Sequence, residues 1–100
     1  AWRIASMAET ANMRYAPHNC GGPILCAASV QLACCTSNFS ILEVFPYRPD
    51  IHYDIVTDAF ERKIKNGRLE IPTKPGIGVE LNHDLVKNYR VGHVTENRLY

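Results

Sequence analysis

"RYAPHNCGGPILCAASVQLACCTSNFSILEV", Arg14 to Val44, decides how this chain is read. A short β-like run, Arg14 to Ala16, ends in Pro17-His18. Asn19, Cys20 and Gly21-Gly22 supply turn chemistry, and Pro23 suits the first turn of a helix, where its missing N–H costs nothing. That helix is expected over Ile24 to Cys35. It is apolar or small nearly all round, with Ser29 and Gln31 as its polar breaks, so burial on most sides is expected. Thr36-Ser37-Asn38 stops it. Phe39 to Val44 then reads as a second strand, with the imperfect alternation of a strand covered on both faces. Two strands joined by a helix of this length favour a parallel α/β unit.

The flanks extend the pattern. Ile4, Met7, Ala8 and Ala11 recur at helical spacing, which predicts a helix over Trp2 to Asn12. The chain opens inside that helix without Met and without a capping residue, so it is expected to be a piece of a longer protein. After Pro46 the character changes. "PYRPD" reads as a connector, and Asp50 to Ala59 as irregular or briefly helical. "ERKIKNGRLEIPT" predicts a hairpin, because Asn66-Gly67 suits a type I′ turn. "IPTKPGIGVEL" reads as a rigid extended segment, and Gly76-Ile77-Gly78 as a turn, since no second half of a nucleotide loop follows. Asn82 is a candidate N-cap for a short helix. Two units are expected, 1–45 and 46–100.

Composition limits the function. The 100 residues are 46% hydrophobic and 21% charged, with a net charge of +1. That is an ordinary globular balance, without the basic stripe of a nucleic-acid binder. No apolar run reaches the ~18 residues of a membrane span, and the first residues lack a signal-peptide layout. Cytoplasm is the expected location. The four cysteines, Cys20, Cys26, Cys34 and Cys35, fit no disulfide scaffold or zinc spacing. Buried small hydrophobes in a reducing compartment are favoured over a metal or redox role.

His18 and Glu43 stand near the C-terminal ends of the two expected strands. In a parallel α/β protein those ends share one face, where active sites are built. A histidine there can exchange a proton near neutral pH. A carboxyl group beside it can steady a charge, or hydrogen-bond an oxyanion if its pKa is raised. On residue types alone, an exposed histidine and glutamate at two loop starts is the favoured reading.

A resemblance sharpens this. "APHN-GGP", "NFSILE" and "P-KPGIGVELN", in that order, resemble the C-terminal part of the mandelate racemase branch of the enolase superfamily. The sugar-acid dehydratases, galactonate dehydratases among them, are the most similar. The likeness runs from Ser6 to about Val86. It implies the last two strands of a modified TIM barrel, with their helices and a return segment to a capping domain. It further implies that His18 is the general base for a proton α to a carboxylate, and that Glu43 helps stabilise the enediolate. The base's usual aspartate partner and the carboxylates that hold Mg²⁺ belong to earlier strands, absent from this chain. The implied reaction eliminates a β-hydroxyl from a sugar acid, giving a 2-keto-3-deoxy acid in an enzyme that is a homo-oligomer when intact. A racemase or epimerase of the same superfamily, or a non-catalytic module, are the alternatives. Cys20 stands where relatives often carry proline and is read as loop filling. His52 could reach the site from the connector, though a solvated loop residue is the simpler reading. His83 and His93 are read as surface residues.

Overall fold

The computed structural model describes residues 1–45 and 47–89. Helix α1 spans Trp2–Thr10 and ends without glycine. Asn12 takes the left-handed conformation instead, at φ 56°. Its N–H bonds the Glu9 carbonyl, and Met13 N–H reaches back to Ala8. This reciprocal pair satisfies the last carbonyls of the helix, and asparagine tolerates the conformation better than most residues with a Cβ.

Tyr15 then pairs in parallel with Phe39. Tyr15 N–H donates to the Asn38 carbonyl at 2.9 Å, and Ser40 N–H to the Tyr15 carbonyl at 2.8 Å. The two expected strands, Arg14 to Ala16 and Phe39 to Val44, are therefore adjacent and parallel, but their ladder is a single bridge. The next donor on that edge would be residue 17. It is a proline and has no N–H to give.

Helix α2, Pro23–Cys34, links them, with Gly22 as N-cap and Pro23 at the first position. Pro23, Cys26, Ala27 and Val30 turn one face inward, at the spacing a helix requires. Phe60, 2% exposed, packs on that face, with Leu42, Leu69 and Val79 around it. The expectation of burial on most sides is corrected here. Ile24 and Leu25 on the other face are 42% and 48% exposed. The helix is apolar on both faces, but the described residues cover only one.

The segment after the connector supplies that cover. Helix α3 spans Asp50–Asp54, followed by strand β1, Val56–Thr57. Strand β2, Glu80–Leu81, pairs antiparallel with β1, Val56 opposite Leu81. Two residues a side are too few for alternation to show in a sequence. Tyr53, Val56 and Ala59 form a second buried cluster, and Val79 touches both clusters. Helix α4, His83–Val86, is capped as expected. Asn82 accepts the Leu85 N–H, and its amide also donates to the Asp54 carbonyl. The expected tight turn forms at Asn66-Gly67, with φ of 52° and 70°, although only Lys65 and Arg68 pair across it.

Gly78 is the glycine that the fold requires. Its φ is +84°, and a Cβ there would sit 2.9 Å from Phe60 Cζ. A left-handed residue bearing a Cβ costs about 1–2 kcal/mol before any clash. Gly78→Ala is therefore expected to lower the melting temperature of the protein carrying this segment. Thermal unfolding followed by circular dichroism checks this, and an unchanged midpoint would remove Gly78 from the packing argument.

Candidate active site

The parallel Tyr15–Phe39 bridge sends both chains out of the same end of the pair. His18 follows Pro17, and Glu43 follows Leu42. The bridge thereby brings two side chains from distant parts of the sequence into contact. His18 Nδ1 lies 2.7 Å from Glu43 Oε2. The imidazole is open to solvent, with its side chain 81% exposed, while that of Glu43 is 41% exposed. An open cleft of about 350 Å³ is lined by Ala16, Pro17, His18, Ile41, Leu42 and Glu43. Larger cavities beside Leu69 and Ile71 contain neither His18 nor Glu43.

Asn19 organises the pair. It is 3% exposed. Its backbone N–H donates to Glu43 Oε2 at 2.9 Å, and its side-chain amide donates to the Glu43 carbonyl at 2.9 Å. It thus holds both the backbone and the carboxylate of Glu43. Cys20 adds a third donor, its thiol 3.3 Å from Glu43 Oε1. Sequence reasoning gave neither residue a role in the site. The asparagine beside the strand-end histidine was the available signal, because a short amide next to a turn so often bonds backbone.

These donors set the charge state. The Asn19 N–H, then the Cys20 thiol, hold the Glu43 carboxyl below its ordinary value of 4.5, against the opposing effect of desolvation. Glu43 is an ionised acceptor here, the reverse of the raised pKa that an oxyanion donor requires. The same bond pushes the Cys20 thiol up. Because the folded value of Glu43 is depressed, its stabilising contribution is fully present above pH 4.5 and lost as pH falls through the lower folded value. An NMR titration of the Glu43 carboxyl is expected to show a midpoint below 4.5. A midpoint at or above it would mean that the three donors do not converge in solution.

The connector reaches the site through Arg48, and His52 stays away from it, in line with the simpler reading. The Arg48 guanidinium donates to the Cys20 carbonyl at 3.2 Å and lies over the Phe45 ring. His52 sits instead on α3, edge-on to Tyr53. His83 opens α4. His93 lies outside the described residues. The cysteines also differ from expectation. Cys26 alone is buried, and burial pushes its thiol up to about 11. Cys34 and Cys35 are exposed, and no disulfide is formed.

His18, Cys20 and Glu43 place one donor atom each within 4.8 Å of the others, as a nitrogen, a sulfur and an oxygen. Mg²⁺ takes oxygen donors in a near-octahedral shell. This set does not fit it. No other group of three such residues is brought together among the described residues.

A histidine bonded to a carboxylate thus stands at the C-terminal end of two parallel strands, the end at which α/β enzymes build their sites. The enolase C-terminal domain-like family matches residues 1–85. The chain belongs to that family. It is 34% identical over 89 residues to a D-gluconate dehydratase of Thermoproteus tenax, covering 88% of this chain and 18% of the relative. It is 38% identical over 89 residues to a D-xylonate dehydratase of Haloferax volcanii, covering 89% of this chain and 21% of the relative. Among solved structures, a mandelate racemase/muconate lactonizing enzyme-like protein of Rubrobacter xylanophilus superposes with a TM-score of 0.75 at 30% identity, over 89% of this chain and 22% of its own. The chain thus spans about a fifth of the length of these relatives. No helix among the described residues is long and apolar enough to cross a membrane.

Proposed function

We propose that this chain supplies the last two strands of a modified TIM barrel, and with them the general base of a sugar-acid dehydratase. The His18–Glu43 contact carries the reading, supported by the dehydratases among the chain's relatives. His18 Nδ1–H donates to the ionised Glu43, which leaves the lone pair on Nε2, facing solvent. Nε2 takes the proton α to the substrate carboxylate. The imidazole gains a positive charge, and the adjacent carboxylate compensates it without rearrangement. The β-hydroxyl takes a proton from an acid on the opposite barrel face and departs as water, the imidazolium returns its proton to solvent, and the enol product tautomerises to the 2-keto-3-deoxy acid.

Glu43 acts first as the group that orients the base. The enediolate hydrogen bond that the resemblance implies for Glu43 requires its protonated form, whereas the donors that converge on it favour the ionised one. The Mg²⁺ that the resemblance implies would be held by strands absent from this chain, because the donors described here do not fit it. A racemase reading shares the same half-reaction and is favoured by the racemase-like solved structure. The two separate on the opposite barrel face, where a second acid or base belongs.

The full-length protein incubated with an aldonic acid in D₂O tests this. Formation of a 2-keto-3-deoxy acid is expected. Deuterium at the α-carbon with unchanged connectivity would replace the dehydratase reading by the racemase one. Neither product, from a panel of aldonic acids of both configurations, would contradict both.

A further inference from the structure

The three donors that fail Mg²⁺ suit a softer ion. We propose that His18 Nδ1, Cys20 Sγ and a Glu43 oxygen form a site for a thiophilic divalent cation, Zn²⁺ above all, and that its binding silences the base. Zinc takes nitrogen, sulfur and oxygen donors together, and its catalytic-type sites keep three protein ligands with a fourth position open. With zinc–ligand bonds of about 2.0–2.3 Å, the donor-to-donor edges of a tetrahedral site are about 3.3–3.5 Å. The observed separations are 2.7 Å from Nδ1 to Oε2, 3.3 Å from Sγ to Oε1 and 4.0 Å from Sγ to Nδ1. The nitrogen and the sulfur contact different oxygens of the carboxylate, and with one oxygen taken the three donors lie within 4.8 Å of one another. Closing the site on that oxygen takes movements of roughly 1 Å, most of which the exposed imidazole is free to supply. Asn19 already holds the carboxylate in place from its buried side. The solvent-facing side leaves room for the fourth ligand.

The consequence follows from the tautomer. Zinc on Nδ1 needs that nitrogen's lone pair, so the ring proton moves to Nε2. Nε2 then has no lone pair for a substrate proton. The thiol loses its proton to solvent, and one proton is released per ion bound. The silencing rests on the assignment of His18 as the base; the metal site itself does not.

The full-length protein titrated with Co²⁺ tests the site directly. A thiolate-to-cobalt charge-transfer band in the near ultraviolet is expected, displaced by Zn²⁺. A site of carboxylates alone cannot produce that band. Cys20→Ser, a small change at a half-buried position, should abolish the band. His18→Gln should weaken cobalt binding by on the order of 10- to 100-fold. Absence of the band in the unaltered protein overturns the site, and so does its persistence in Cys20→Ser, which would assign it to other thiols. Zn²⁺ should inhibit α-proton exchange, and Cys20→Ser should raise the zinc concentration required by a similar factor. If the band behaves as expected while zinc leaves exchange untouched, the metal site stands and the silencing is overturned.

Discussion

His18→Asn in the full-length protein is expected to lower the rate of α-proton abstraction by ~10²- to 10⁴-fold, the usual contribution of a positioned general base. Asparagine keeps a hydrogen-bond donor for Glu43 but has no lone pair of suitable basicity. The His18 side chain is 81% exposed, so its replacement leaves no cavity and the fold should survive. Near-normal thermal unfolding with collapsed exchange is the expected combination. Glu43→Gln keeps the shape and removes the charge, and exchange should also fall. Full exchange in both variants would dissolve the assigned roles. A loss of folding in His18→Asn would show that the pair is structural.

The second large effect concerns the 100 residues by themselves. Produced alone, they are expected to aggregate and to melt without a cooperative transition. Trp2, Ile4, Met7 and Met13 are 54–71% exposed, and Ile41 is 67% exposed. Ile24 and Leu25 line the uncovered face of α2. The parallel pair consists of one bridge, with both outer edges open. Eight apolar side chains make up the buried core of the described residues, and three of them are alanines, Ala5, Ala27 and Ala59. A chain of this length needs more burial than that to offset its conformational entropy. Differential scanning calorimetry with sedimentation measures this. A soluble monomer with a sharp two-state transition would contradict the view that these faces need further barrel to cover them.

Much of this was legible from local chemistry. Pro23 after Gly22, the small apolar run that follows, Asn66-Gly67 and Asn82 each act within a few residues, and each appears where its chemistry places it. The site pair was legible because strand ends in a parallel unit share a face, and one bridge is enough to enforce that. What was not legible depends on distant partners. Pro17 cuts the ladder only because Tyr15 sets its register against Phe39. Strands β1 and β2 exist through pairing across more than 20 residues. Asn19 and Cys20 matter because Glu43 arrives beside them, and their spacing to His18 alone says nothing of this. The charge of Glu43 was conditional in the sequence and is settled in the fold by the donors that converge on it.

The most direct measurement is a structure of the full-length protein with a bound sugar acid or a stable mimic of its enediolate. The account predicts the α-carbon about 3–3.5 Å from His18 Nε2, with Nδ1 still on a carboxylate. An α-carbon whose proton faces another side chain, with His18 turned to solvent, would contradict it.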